Sequence, residues 1–165
     1  MMDYEELERV DYWEEQDKIT KEISLILPRI YLSGLEGAKR KEELKAKKIK
    51  HVLSILCHGD DFHVGDGFDQ YHFYANDDYA TAILPVCMAG DMMIKHLLRT
   101  TNDNILVHCA GGVSRSVSLL IYHMMQKDQE LTANDALQFI KERRSIAQPN
   151  YKFMEQLTKS KLKRN

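Results

Sequence analysis

This chain of 165 residues has no disulfide framework, no long apolar run and no strong charge of either sign. Only three cysteines are present, Cys57, Cys87 and Cys109, an odd number at spacings that build no framework. A disulfide-stapled secreted scaffold is thereby excluded, and a reducing compartment, cytoplasm or nucleus, is expected. No apolar stretch approaches the ~18 residues of a membrane-crossing helix. The opening MMDYEELERV is acidic and has no apolar centre, so no secretory signal is expected either. A net charge of −2 speaks against a general nucleic-acid binder or a ligand of anionic membranes. Internal repeats and low-complexity tracts are also missing. What is there, 44% hydrophobic and 29% charged residues, is ordinary globular composition. One domain is expected at this length, burying about two-thirds of its unfolded surface.

The informative stretch is residues 105–122, ILVHCAGGVSRSVSLLIY. Ile105, Leu106 and Val107 form the short apolar run of a strand buried on both faces. From Val117, apolar residues recur at helical spacing through Leu120, Ile121 and Met124, so a helix follows. The turn between holds small residues, and such a turn aims successive backbone N–H groups inward at the positive end of a helix. Cys109 opens this turn and Arg115 closes it. Donors around a thiol stabilise the thiolate and lower its pKa, while a guanidinium grips two oxygens of a phosphoryl group. A thiolate under a phosphate cradle is the equipment of covalent phosphoester hydrolysis.

The rest of the chain supplies a scaffold. Strands are expected at 23–27, 30–32, 49–56, 70–74 and 104–107, the first two joined by a tight turn at Pro28-Arg29. A segment of strong helix formers spans 35–48, with Leu35, Ala38 and Leu44 available to a core. Pro85 suits the first turn of a helix reaching Arg99, with Val86, Met93 and Leu97 inward. Thr132 and Asp135 have the spacing of a capping box, Ala136, Leu137 and Ile140 face inward behind it, and Arg143 and Arg144 suit that helix's C-terminal dipole. The result is an α/β fold, a mixed and mainly parallel sheet flanked by helices, with the strand–loop–helix turn at the carboxyl end of a central strand.

Residues 58–69 (HGDDFHVGDGFD) read as a solvated acidic loop, since their spacing matches no calcium loop. Cys87 reads as packing; Cys57 reads as a buried structural cysteine or a thiol that resolves oxidised Cys109. Residues 1–22 carry nine acids against three basic residues, with Tyr4, Leu7, Val10 and Trp13 three apart. Three readings of this acidic extension stand open: a helix packed on its own domain, an arm for a partner or for self-association, and a disordered leader. Removing it is expected to leave catalysis intact. Residues 161–165 form a short basic tail.

HCAGGVSRS resembles the phosphate-binding signature of the dual-specificity phosphatases, a branch of the protein tyrosine phosphatase superfamily. LPRIYLSG, a helical segment and IKHVLSI are similar to the opening of those domains, and PN-x-x-F-x-x-Q-L from Pro149 to Leu157 to their close. The likeness covers about residues 23–160, with Gly111 standing where many members carry Ala.

The resemblance implies hydrolysis of phosphotyrosine, phosphoserine and phosphothreonine in proteins, with no cofactor and no metal. Cys109 is then the nucleophile and Arg115 the phosphate grip. Ser116 donates to the departing thiolate, and the backbone of Ala110, Gly111, Gly112, Val113, Ser114 and Arg115 binds the substrate. ANDD, 32 residues before Cys109 when counted from Asp77, occupies the place of the general-acid loop. Asp77 is the acid by match, with Asp78 as the alternative. His108 faces away from the phosphate and orients the loop. Two other readings are a phosphatase of non-protein esters (phosphoinositide, RNA or phosphoglucan) and an inactive phosphopeptide-binding scaffold. The absence of Lys and Arg between Ala110 and Ser114 disfavours the phosphoinositide and RNA substrates.

Overall fold

The computed structural model describes residues 3–162. The elements run α1 (Tyr4–Lys21), β1 (Ser24–Leu27), β2 (Ile30–Ser33), α2 (Leu35–Ala38), α3 (Lys41–Ala46), β3 (Ile49–Leu56), β4 (Asp69–Tyr74), α4 (Leu84–Thr100), β5 (Asn104–His108), α5 (Arg115–Lys127), α6 (Ala133–Lys141) and α7 (Tyr151–Leu162). The sheet order is β1-β2-β5-β3-β4, with β1 antiparallel to β2 and every other pair parallel. All five expected strands are present.

Alternation along the central strands divides the core in two. Leu53 and Ile55 of β3 join Ile105 and Val107 of β5 in the larger cluster, with apolar residues of α4, α5, α6 and α7. Val52 and Leu106, on the other face, meet Ala38 and Leu44 beneath α2 and α3. Helix α5 is buried from Arg115 to Met125, which places it inside the larger layer.

Three local expectations change. The helical segment 35–48 is two short helices, broken at Lys39-Arg40, so that Ala38 and Leu44 both turn into the same cluster. In α4, Leu97 is buried but Val86 and Met93 are half-buried, and the inward stripe is Cys87, Gly90, Asp91, Ile94 and Leu97. Asp91 sits inside because it pairs at 2.8 Å with both the buried His123 and Lys95, a position that an apolar pattern does not mark. Third, Arg144 is no dipole partner at the surface; it is 1% exposed.

Helix α1 starts with a capping box, the Glu6 N–H donating to Asp3 Oδ1 at 2.8 Å and the Asp3 N–H to Glu6 Oε2 at 3.2 Å. Trp13 of its apolar stripe is 67% exposed, so its own domain does not cover that residue, and the neighbouring Tyr12 is 55% exposed. The side chains of Tyr4, Leu7 and Val10 lie outside the described residues, as do residues 163–165 of the basic tail. The box between Thr132 and Asp135 forms at the start of α6. No helix among the described residues is long and apolar enough to cross a membrane.

Candidate active site

Strand β5 delivers Cys109 to the mouth of the sheet, and α5 begins six residues later at Arg115. The loop between them owes its shape to its carbonyls. The Ala110 oxygen accepts from the Leu35 N–H at 2.8 Å, and the Val113 oxygen from the Gln148 N–H at 2.8 Å. Arg144 donates from Nε to the Gly112 oxygen at 2.8 Å and from Nη2 to the Gly111 oxygen at 3.3 Å. The Ser114 oxygen accepts from the Ser118 N–H at 2.9 Å and its hydroxyl at 2.8 Å. Five successive carbonyls are thus drawn outward, which leaves N–H groups for the interior of the turn. Gly112 makes the turn at φ +64°, and a Cβ there would stand 2.6 Å from the Ser33 backbone.

The thiol of Cys109 is 3.1 Å from Ser116 Oγ. Burial alone would raise its pKa. The Ser116 hydroxyl, the Ser116 N–H, the charge of Arg115 and the Val113 N–H outweigh burial and hold it below the usual thiol value. Arg115 is itself buried and anchored by one arm: Nη1 donates to the Ala75 oxygen at 3.1 Å and to Cys57 Sγ at 3.4 Å. Its Nε is buried and has no hydrogen-bond partner among the described residues. Burial pushes His108 down to about 4. As a neutral ring it contacts Ser54 Oγ through Nε2 at 2.6 Å and the Cys109 carbonyl through Nδ1 at 3.1 Å. It braces the nest from the side away from the turn.

The two aspartates at the rim part company. Asp77 Oδ1 accepts from Ser114 Oγ and from Asn150 Nδ2, each at 2.8 Å, which ties it to the nest itself. Asp78 Oδ1 instead accepts from the Thr81 hydroxyl at 2.7 Å, the Thr81 N–H at 2.8 Å and the Ala80 N–H at 3.0 Å. The Thr81 hydroxyl, foremost among these, holds the Asp78 carboxyl below its ordinary range. Asp78 shapes the loop while Asp77 faces the nest.

Cys57 is half-buried at the end of β3, against Arg115, and Cys87 is fully buried in the larger core, where burial pushes its thiol strongly upward. A cleft of about 350 Å³ opens beside Ala110, lined by Leu35, Lys39, Leu56, Asp60, Asp61 and Phe62. Loop 58–68 forms its acidic wall, held by Gln70, which accepts from the Val64 N–H at 2.8 Å and donates to the Phe62 oxygen at 3.0 Å. Among the described residues no group of three or more His, Cys, Asp or Glu side chains is placed to hold a metal ion.

Sequence reading did not mark Arg144, Asn150 or Ser114 as organisers. Asn150 lies in the PN-x-x-F run, and its spacing gives no hint that its amide reaches back 73 residues to Asp77.

An open α/β sheet whose central parallel strand ends in a cysteine-bearing anion nest defines a phosphatase-type domain. Residues 30–162 match the family model described as dual specificity phosphatase, catalytic domain, and the chain belongs to that family. It is 36% identical over 138 residues to Protein phosphatase Slingshot homolog of Xenopus laevis, covering 81% of this chain and 19% of that protein. It is 32% identical to Dual specificity protein phosphatase 16 of Homo sapiens, covering 80% and 20%. The chain thus spans about a fifth of the length of these two relatives. The crystal structure of the Yvh1 phosphatase domain from Chaetomium thermophilum superposes with a TM-score of 0.74 at 27% identity, covering 84% of this chain and 94% of that one.

Proposed function

We propose that this chain hydrolyses phosphate esters on protein tyrosine, serine and threonine side chains through a cysteinyl-phosphate intermediate. The carrying observation is the thiol of Cys109, held below its usual pKa at the base of a nest whose carbonyls all turn away. Cys109 thiolate attacks phosphorus, forming the S–P bond as the ester P–O bond breaks. Asp77, protonated on the oxygen not held by Ser114 and Asn150, gives its proton to the leaving oxygen. N–H groups of residues 110–115 and the free Nε of Arg115 bind the equatorial oxygens. Water, deprotonated by Asp77, then splits the S–P bond, and the Ser116 hydroxyl steadies the returning thiolate.

The acidic wall of Asp60 and Asp61 beside Ala110, with no Lys or Arg from Ala110 to Ser114, favours a single phosphate on a protein over a polyanionic substrate. Three unpaired thiols support a reducing compartment, cytoplasm or nucleus. Residues 23–160 form the catalytic unit, and the exposed Tyr12 and Trp13 on an acidic helix support self-association through residues 1–22.

A side-by-side assay of phosphotyrosyl and phosphothreonyl peptides against phosphoinositides tests the reading. Faster turnover of the peptides is expected, and preferential turnover of a phosphoinositide would overturn it. Cys109→Ser should hold a phosphopeptide without releasing phosphate; turnover by this variant would remove Cys109 as nucleophile.

A further inference from the structure

Helix α4 turns Cys87, Ile94 and Leu97 inward and leaves Met88 53% and Met92 72% exposed. Between this outer face and β4, the edge strand of the sheet, lies a groove of about 650 Å³. Its floor is Phe73, Ala89, Met92 and Met93. Lys95, His96 and Arg99 stand along one rim. Methionine-lined apolar surface adapts to whatever packs on it, and exposed apolar patches rimmed by polar groups mark interaction sites. The complement of this groove is an aromatic anchor carried on an acidic helix.

The chain holds such an element. Trp13 and Tyr12 stand edge to face at 5.5 Å on α1, both more than half exposed. Glu14, Glu15 and Asp17 are exposed beside them. The helix cannot fill the groove of its own molecule. Its C-terminal end is held by Arg144, through the Ile19 and Thr20 oxygens at 3.3 Å and the Glu22 oxygen at 2.9 Å. It packs beside α2, on the Val52 and Leu106 face of the sheet, whereas α4 covers the Leu53 and Ile55 face.

Resting on the reading that residues 1–22 mediate self-association, we propose that α1 of one molecule docks in the α4–β4 groove of a second copy. Trp13 and Tyr12 lie on the methionine floor, and Glu14 and Glu15 face His96 and Arg99. The contact joins two different surfaces; a two-fold arrangement that makes it twice closes as a dimer, whereas a single head-to-tail contact would propagate. Each aromatic carries roughly 150–250 Å² of surface. Two docked pairs with the groove walls that cover them therefore reach the ~1,200 Å² of a small specific interface.

Sedimentation of the full chain tests this, together with the emission of Trp13, the single tryptophan. A dimer is expected, with emission shifting to the blue as concentration rises and a dissociation constant that grows with salt. Met92→Glu and Trp13→Glu should each weaken the dimer by roughly tenfold or more, and Arg99→Glu should weaken it as a second groove variant. Mixing the first two variants should restore a heterodimer, because the intact α1 of one meets the intact groove of the other. Turnover of an aryl phosphate, unchanged in all three, shows that they are folded. A dimer lost in Trp13→Glu but indifferent to Met92→Glu and Arg99→Glu would overturn the groove while keeping self-association. A wild-type monomer at about 100 μM would remove both.

Discussion

Arg144 Nε donates to the carbonyl oxygen of Gly112 at 2.8 Å, from a side chain only 1% exposed. The same guanidinium reaches the Gly111, Ile19, Thr20 and Glu22 oxygens and Ser24 Oγ. One planar fork therefore fastens the loop between β5 and α5 to the end of α1. A lysine ammonium could not span these acceptors.

Arg144→Met should accordingly injure stability and catalysis together. Each buried carbonyl left without a donor costs about 1–3 kcal/mol, and a loop displaced by an ångström loses roughly 10²-fold in rate. Thermal melts and steady-state kinetics on a phosphopeptide check both. Wild-type kcat/KM in a variant that melts earlier would show that Arg144 supports the fold without shaping the nest. Removal of residues 1–22 takes away three of the same acceptors, so a milder form of this defect is expected in place of the intact catalysis that the sequence suggested.

Asp77→Asn should lower kcat by roughly 10²–10⁴ for substrates with poor leaving groups and far less for nitrophenyl phosphate, whose phenolate leaves unaided. Asn150→Ala, which releases one of the two bonds to Asp77, should give an intermediate loss with the same leaving-group dependence. Asp78→Asn should do neither, and the reverse result would move the acid by one residue.

Gly111 and Gly112 are neighbours with opposite tolerances. A Cβ at Gly111 meets nothing closer than Val113 Cγ2 at 3.4 Å, ordinary contact, whereas one at Gly112 would strike the Ser33 backbone at a positive φ. Gly111→Ala should be neutral or stabilise by about 0.4–1 kcal/mol through the unfolded chain. Gly112→Ala should cost both stability and phosphate affinity. Melting curves with and without tungstate, an oxyanion mimic, read the two effects, and equal behaviour of the variants would contradict the geometry.

His108 gives the pH dependence of stability a definite sign. Its pKa is about 4 in the folded state, against an unfolded value of about 6.5. Between those values the unfolded chain binds a proton that the folded one refuses, so stability falls as pH drops through that window. The contribution is on the order of 3 kcal/mol. Urea melts at stepped pH should show the fall, and His108→Asn should flatten it. A slope unchanged in that variant would place its origin in another group.

The strand, loop and helix around Cys109 were legible in the sequence because their signals are local. Three β-branched or aliphatic residues, a small-residue turn and a helical repeat follow one another within 20 positions, and the other four strands are marked by equally short runs. Cys109 and Arg115 open and close that turn, whereas the aspartate pair was reached only through the resemblance of ANDD to the family's general-acid loop. Asp77 was preferred to Asp78 by match alone, since their physical distinction lies in which partners each carboxylate meets. One partner, Asn150, is 73 residues away. Arg144 was misjudged on the same ground. At the end of an amphipathic helix a basic residue reads as a dipole partner, yet the carbonyls of Glu22, just past α1, and of Gly112 converge on it from 122 and 32 residues away. Periodicity and capping act within a few residues of chain. Which carbonyl meets which donor across the domain is decided only when the layers pack, because a buried polar group must then take whatever partner the fold brings to it.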